Sequence, residues 1–334
     1  MGALIATRPE LLTTLYSEVS PALISRFGDR EETVRLEIWA TYGVLLQQTA
    51  LYGGSAQPKD AGYTVVGGKR KRDDGGEAET TTPYTLLQSQ VPAFAKALLG
   101  QLKSAKTPPA TLQAGFNLLH QFLTVLPGSL SSQSAAVLTN VKSVLSQPSS
   151  SSASSLQVTC LSFLVLFFST HSPPTFSGSL DSLLPILLRS VAEKHPRLAS
   201  ESFRVFSALL SALRPLKSGD WVDRIYDEAL SRLSNHETDA DVRERAEEVI
   251  GDLWISATDV VKTKGNKEWD ALCRTSGRSE GAVKVITRIA KEVEIDDNWV
   301  NGSIEWCLNL LRRSGRAGKS DVFTCLDALL RRYV

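Results

Sequence analysis

The stretch that decides the fold is Ser182-Leu-Leu-Pro-Ile-Leu-Leu-Arg-Ser-Val-Ala-Glu193, which is followed by Pro196 and a second apolar segment that ends at Leu213. In both halves, leucine, valine and phenylalanine recur every three or four residues, the spacing that places side chains on one face of an α-helix. Pro196 cannot continue the first helix, but it fits the first turn of a second one. The stretch therefore predicts a helical hairpin, which buries both apolar faces only when similar hairpins lie on either side.

The composition is that of an ordinary water-soluble chain. It has 334 residues, of which 42% are hydrophobic and 22% charged, and its formal net charge is +1. This balance predicts neither a nucleic-acid partner nor a membrane partner, and no uninterrupted apolar run is long enough to span a bilayer. The four cysteines form no C-x-x-C pair, so we expect reduced thiols packed mainly in helices.

Hairpins of the same kind recur along the chain. The predicted helices, in pairs, are 9–26 with 31–51, 86–102 with 109–126, 131–145 with 156–168, and 221–233 with 239–261, and a serine-rich turn is predicted at 149–155. An apolar residue near the start of each second helix puts the hairpins in register: Val34, Leu112, Leu156, Leu198 and Val242. The last three intervals are 44, 42 and 44 residues, and a period of about 40–47 residues built from two helices is typical of HEAT or armadillo repeats.

Two further features favour HEAT over armadillo repeats. The pairs Val34-Arg35 and Val242-Arg243 each follow an acidic turn, and Pro21, Pro92 and Pro185 fall at similar places inside first helices. The predicted fold class is therefore all-α: a HEAT/armadillo-like α-solenoid, that is, a right-handed superhelix of antiparallel helix pairs.

The sequence divides into four predicted regions. Residues 1–52 form the first hairpin, 53–82 a disordered, glycine-rich loop with basic and acidic residues, and 83–261 hairpins two to five. Residues 262–334 hold further helices in irregular repeats, including a short one at Trp269–Cys273 and segments at 282–293, 299–311 and 322–330. Because the last segment has no polar capping helix, the array is expected to be truncated.

The loop carries the basic run Lys69, Arg70, Lys71 and Arg72. Short basic runs of this kind are read by nuclear import receptors. Asp73, Asp74, Glu77 and Glu79 follow closely, however, and would balance the charge of an ordinary solvated loop. Both interpretations remain open.

The residues that carry chemistry are scattered. His120, His171, His195 and His236 belong to no zinc motif, and each is expected to be a surface or capping histidine. Gly318-Lys319-Ser320 resembles the end of a phosphate-binding loop, but the required glycine five residues earlier is Arg313, so a solvated interhelical turn is favoured. The sequence therefore predicts no enzyme, no catalytic residue, no cofactor, no metal and no small-molecule substrate.

Asp296 or Asp297 is expected to cap the helix that contains Trp299.

Several landmarks resemble one known family in the same order along the chain. They are Tyr16–Phe27, Thr85–Pro92, Val125–Leu130, His171-Ser-Pro173, Ser200-Glu-Ser202, Arg214-Pro-Leu216 and Val242–Ala246. This series, which covers roughly 11–253, is similar to the middle HEAT-repeat region of the cullin-associated, neddylation-dissociated proteins, the Cand family, in a fungal-type or divergent member. The 53–82 loop and the tail after Lys262 match that family poorly.

The resemblance implies a scaffold rather than an enzyme. Cand proteins wrap around a cullin and its RING subunit, bind cullins that lack the ubiquitin-like modifier, and promote exchange of substrate receptors on SCF and other cullin–RING ubiquitin ligases. We therefore expect cullin and its RING subunit as partners, and a location in nucleus and cytoplasm. The repeats alone would also allow a generic HEAT adaptor, for example in nuclear transport.

In a superhelix of this kind the second helices line the concave face, so their outward polar residues are the candidate protein contacts. These residues are Arg35, Glu37, Gln113, Asn117, Gln157, Glu201, Arg204, Arg243 and Glu247. The alternative is that most of them are merely solvated.

Overall fold

A computed structural model describes residues 2–53, 82–103, 107–148, 151–216, 219–263, 279–313 and 316–331. They belong to two compact units, Met1–Val141 and Lys142–Val334. The described residues contain helices and no strands. The basic run at Lys69–Arg72, the predicted short helix at Trp269–Cys273 and all of the predicted loop except its first and last residues lie outside the described residues.

The first unit is built from α1 to α6 and the greater part of α7. The helices are α1 (Gly2–Thr7), α2 (Leu12–Thr14), α3 (Ser20–Ser25), α4 (Glu32–Tyr52), α5 (Pro83–Leu102), α6 (Pro109–Val125) and α7 (Ser134–Leu145). Two 3-10 turns, Pro9–Leu11 and Ser131–Gln133, precede α2 and α7, and a π-helical turn, Leu15–Val19, joins α2 to α3. The first predicted helix, 9–26, is thus a series of short helical segments.

The π-helical turn has a cause in the sequence. Pro21 lies at the start of α3 and lacks the N–H that an α-helix would direct to the carbonyl four residues earlier. The side chain of Gln90 on α5 donates to the Tyr16 carbonyl at 2.7 Å, so a side chain takes up a carbonyl of the turn. Pro92 lies inside α5 and Pro185 inside a first helix of the second unit, as predicted.

Aromatic rings fill the core of the first unit. Phe94 of α5 stacks on Phe122 of α6 with ring centroids 4.0 Å apart, and it contacts Tyr42 of α4 and Phe27 at 5.3 Å and 5.7 Å. All four rings are fully buried. Because burial of an aromatic side chain contributes a few kcal/mol, this cluster holds the helices of the first two hairpins together.

The second unit continues the alternation of first and second helices. Its helices are α8 (Ser151–Thr170), α9 (Ser177–Val191), α10 (Pro196–Ala212), α11 (Asp220–Ser234), α12 (Ala240–Ser256), α13 (Thr258–Lys262), α14 (Ser279–Glu292), α15 (Asp297–Arg313) and α16 (Arg316–Leu330). The second helices α8, α10, α12, α14 and α16 pack against one another in that order, and the first helices α9 and α11 pack together behind them. This succession is the predicted stack of hairpins.

Helix α8 is apolar enough to cross a membrane by length and composition alone. Its segment Ala153–Thr170 has a mean hydropathy of 1.6, but half of it is buried inside the protein. It packs against α10, and Phe163, Phe167 and Phe168 are fully buried. In this structure α8 is therefore a core helix of the solenoid.

The structure corrects two predicted turns and one predicted helix. Residues 151–155 of the predicted serine-rich turn are the first residues of α8, because serine is tolerated in a first helical turn. Gly318-Lys319-Ser320 lies inside α16 rather than in an interhelical turn. The helix predicted for 239–261 ends at Ser256, and α13 follows as a separate short helix.

Two predicted helix caps are present. The Trp299 amide donates to the Asp296 carboxylate at 2.9 Å, so Asp296 is the cap of α15. His171 follows α8, where its Nδ1 donates to the Phe167 carbonyl at 2.9 Å while the ring stacks on Phe167. Burial lowers the pKa of His171, which keeps the ring in the neutral form. The prediction of a capping histidine is correct at this position.

Candidate functional site

An arginine early in each of two second helices fastens its own hairpin. Arg243 of α12 donates to the carbonyls of Leu233 at 2.7 Å and Asn235 at 2.6 Å, where α11 ends. Arg35 of α4 donates to the Asp29 carbonyl at 2.9 Å, in the turn before α4. Helix ends leave carbonyls without partners inside the helix, so the Val-Arg pair contributes a cap for the connection between two helices.

A second set of donors ties successive first helices together. Arg189 of α9 donates to the Leu145 carbonyl at the end of α7 at 3.0 Å. Arg232 of α11 in turn donates to the carbonyl of Val191, the last residue of α9, at 3.1 Å. Guanidinium groups near these C-terminal helix ends also oppose the negative end of the helix dipole. These arginines therefore stabilise the stack and are not available to a partner.

The nine predicted contact residues divide into three groups. Exposed members are Glu37, Asn117 and Arg204; half-buried members are Arg35, Gln113 and Glu201; buried members are Gln157, Arg243 and Glu247. The exposed and half-buried members stay candidates for partner contact, except that Arg35 is engaged with its own turn. The prediction that all nine lie on an outward stripe is wrong for the three buried residues.

Each buried member has a structural reason. Gln157 donates to the Gln147 carbonyl at 2.9 Å across the connection before α8. Arg243 caps α11, as described above. The Glu247 carboxylate lies against the first turn of α14, so close that a side chain at Gly281 would collide with it. A carboxylate at a helix N-terminus is favoured by the helix dipole, so Glu247 joins α12 to α14.

A large concavity lies where α10, α12 and α14 meet, in the second unit. We call it the charged groove; its volume is about 680 Å³. Its lining is Ser207, Ala240, Arg243, Glu244, Glu247, Glu248, Gly251, Asp252, Gly281, Lys284, Val285 and Arg288. Four carboxylates and three cationic side chains line it, so its formal charge is slightly negative.

A chain of ion pairs crosses the groove from α12 to α14. Arg288 contacts the Asp252 carboxylate at 2.6 Å and Glu292 at 3.6 Å, and Glu292 also meets Arg214 at 3.2 Å. Asp252 is almost fully buried, whereas Arg288 is exposed. Burial raises the pKa of Asp252, while Ser207 and Arg288 oppose that rise. The Ser207 hydroxyl lies beside Asp252 without reaching standard hydrogen-bond geometry.

The rim of the groove carries the accessible charges. Arg245 is held between Glu248, at 2.6 Å, and Asp241, at 4.0 Å. Glu244 of α12 and Lys284 of α14 are exposed. A partner that enters the groove would meet these two side chains before the buried carboxylate of Asp252.

The sequence did not reveal this groove. Lys284 and Arg288 were not among the predicted contacts, because the tail after Lys262 could not be put in register with the earlier repeats. Asp252, on α12, was not among them either. The available signal was the i,i+4 pair Arg288 and Glu292, which is typical of an exposed helix face. In the described part of the chain, no group of three His, Cys, Asp or Glu side chains is placed to hold a metal ion.

A second, smaller hollow of about 390 Å³ lies on α3 and α4 in the first unit. It is lined by Leu23, Thr33, Val34, Glu37, Ile38 and Thr41. Glu37, one of the predicted contacts, provides its charge, and the rest of the lining is apolar or hydroxylic. This hollow differs in chemistry from the charged groove.

Together, the stacked hairpins and the polar groove on their second helices define a HEAT/armadillo-like α-solenoid, and the predicted fold class is confirmed. A designed armadillo repeat protein matches 70% of this chain and 98% of its own with a TM-score of 0.52 at 12% identity. Importin beta matches 99% of this chain and 38% of its own with a TM-score of 0.63 at 14% identity. At these identities the likeness concerns the fold alone.

Sequence comparisons identify the relatives. Residues 128–250 match the family of CAND1-like TPR repeats. Cullin-associated NEDD8-dissociated protein 1 of Arabidopsis thaliana is 30% identical over 75% of this chain and 19% of its own length. The C-terminal part of the Emericella nidulans protein of the same name is 25% identical over 95% of this chain and 36% of its own length.

The resemblance inferred from the sequence is thereby confirmed: the chain is related to the Cand family. It spans about a fifth of the length of the Arabidopsis thaliana and Drosophila melanogaster relatives. The family and the fold are those of helical-repeat scaffolds.

Proposed function

We propose that this chain is a non-catalytic scaffold of the Cand type, which binds cullin–RING complexes without NEDD8 and promotes exchange of their substrate receptors. The observation that carries the proposal is the match of three quarters of the chain to relatives that are named for association with cullins. The succession of second helices from α8 to α16 supplies the surface. Nuclear and cytoplasmic localisation belongs to the same proposal.

Charge complementarity specifies the contact further. Glu244 stands exposed at the rim of the charged groove, and four carboxylates against three cations line it. Because complementary charge governs the association rate and the choice of partner, the part of the cullin–RING complex that meets this groove would carry lysine or arginine side chains. The groove is one contact among several along the second helices.

The direct test is retention of a purified cullin–RING complex on the immobilised full chain. We expect the unmodified complex to be retained and the NEDD8-conjugated complex to be lost in the wash. If neither is retained, the assignment to cullin binding is wrong. Retention of import cargo or of a small GTPase instead would support the generic HEAT adaptor.

A matched pair of charge reversals tests the groove. Glu244→Lys changes the exposed rim of the groove, and Glu305→Lys makes the same change on the exposed face of the first helix α15. We expect Glu244→Lys to slow association with the cullin–RING complex about tenfold at low salt, and Glu305→Lys to leave it unchanged. If the two variants associate at equal rates, the charged groove is not part of the interface. Such a result would leave the proposal of cullin binding itself untouched.

A further inference from the structure

Two cysteine side chains meet inside the last helical hairpin. Cys307 is on α15 and Cys325 on α16, and both residues are fully buried. The Cys307 thiol donates a hydrogen bond to the Cys325 sulfur, with the two sulfur atoms 3.7 Å apart. Neither the fold nor the proposed scaffold function requires two thiols at this contact, since an apolar pair would pack equally well.

The surroundings of the pair favour reaction at Cys325. The hydrogen bond from Cys307 lowers the pKa of the Cys325 thiol, burial opposes that effect, and the Thr287 hydroxyl of α14 adds to it. The thiolate is the nucleophilic form of cysteine. Cys160 provides the contrast, because burial raises the pKa of its thiol and it pairs with no other cysteine among the described residues.

The two sulfur atoms lie within reach of a covalent bond. A disulfide holds its sulfur atoms about 2.05 Å apart, so the two sulfurs must approach by about 1.7 Å. Rotation about the Cα–Cβ bonds moves a sulfur atom over such a distance. The bond would link α15 to α16 and close a loop of chain between them, which restricts the unfolded state more than the folded one.

We propose that Cys307 and Cys325 form a modification site, which a small peroxide oxidises to a reversible disulfide between α15 and α16. The Cys325 sulfur attacks one peroxide oxygen, the O–O bond breaks, and the products are a sulfenic acid on Cys325 and one water molecule. The Cys307 sulfur then attacks the sulfenic sulfur, the S–O bond breaks, and a second water molecule leaves. The two thiols lose two electrons, which reduce hydrogen peroxide to water.

Access suits an oxidant of this size. Hydrogen peroxide is uncharged and little larger than water, so it reaches a buried thiol through small local openings of a helix pair. Glutathione disulfide is a charged, bulky reagent and would need α16 to separate from α15. Peroxide is therefore the oxidant class that the site fits.

The test uses the full chain with Cys273→Ser, so that the three described cysteines are the only thiols. After exposure to hydrogen peroxide and quenching, tryptic digestion without reductant is expected to give one linked product of Glu292–Arg312 with Ser320–Arg331, which dithiothreitol separates. Intact mass should fall by two hydrogen atoms, and the melting temperature of the hairpin should rise. Cys160 should stay reduced under the same exposure.

Two outcomes would overturn the proposal. One is recovery of both peptides unlinked, either unmodified or with separate sulfinic acids. The other is a linkage that involves Cys160 in place of one of the pair. Cys325→Ala is the control for the linked product. In this variant the linked product must disappear, while the peptide that contains Cys307 is still recovered.

Discussion

The hairpins that contain α4 and α12 carry the same Val-Arg pair, yet the two pairs have different surroundings. Val34 is 39% exposed, whereas Val242 is 2% exposed. Helix α12 is packed by α10 on one side and α14 on the other, while α4 is packed by α6 and the short α1. The same dipeptide therefore forms core in one repeat and surface in another, according to its neighbours.

The arginines of the two Val-Arg pairs, unlike the valines, make the same kind of contact in both hairpins. Both guanidinium groups donate to carbonyls of the connection before their own helix, two for Arg243 and one for Arg35. A cap within one hairpin needs no adjacent repeat. The comparison predicts that both arginines stabilise their hairpins, and that the more deeply buried one contributes more.

The largest expected effect is the loss of the buried cap in Arg243→Ala. It removes the guanidinium donor from the carbonyls of Leu233 and Asn235, of which the second keeps the Thr238 amide, and it leaves a cavity between α11 and α12. We therefore expect the free energy of unfolding of the second unit to fall by about 3 kcal/mol. Urea unfolding followed by tryptophan fluorescence, to which the buried Trp254 of α12 contributes, measures it. Arg204→Ala, an exposed change on α10, is the control and should stay within about 0.5 kcal/mol of the original chain. If Arg243→Ala and Arg204→Ala change the free energy of unfolding equally, Arg243 does not stabilise the second unit.

A smaller loss is expected for Arg35→Ala. Arg35 is half-buried and makes one hydrogen bond to the Asp29 carbonyl, so the free energy of unfolding of the first unit should fall by about 1 kcal/mol. Hydrogen exchange at the amides of the turn before α4 should quicken along with it. A loss as large as that of Arg243→Ala would show that burial does not distinguish the two caps.

The smallest effect concerns pH and the charged groove. Burial raises the folded-state pKa of Asp252 above the ordinary value of 3.8, so the folded state binds its proton more tightly than the unfolded state does. By linkage, this carboxyl contributes to stability below about pH 4 and the contribution is lost as pH rises through the folded-state pKa. Asp252→Asn should therefore flatten the pH dependence of unfolding just above pH 4, measured as thermal midpoints across that range. A slope identical to that of the unaltered chain would contradict the assigned shift.

The hydrophobic period predicted most of the helices because burial of an apolar face is a local property of the sequence. The segments 182–193 and 197–213 overlap α9 and α10, and each runs one or two residues past the end of its helix. The prediction failed at two places where serine or glycine suggested a turn but the residues lie in a helix. Ser151–Ser155 and Gly318 are such positions, since packing against neighbouring helices outweighs a small local preference.

The candidate site could be predicted only in part. Glu37, Asn117 and Arg204 are exposed as expected, because outward positions on a second helix follow from helical spacing. Gln157 and Glu247 were wrongly placed on the surface, because spacing within one helix does not show what the next helix covers. Glu247 is covered by the first turn of α14, a helix that the repeat register did not place beside α12.

The sequence alone determined the hairpin, its period and the relation to the Cand family, because these depend on the order and spacing of residues along the chain. Only the tertiary structure decided which polar side chains are caps, which face solvent, and which meet across helices. The charged groove and the contact of Cys307 with Cys325 join residues from different helices. Their positions follow from the packing of repeats on one another, and no local pattern records that packing.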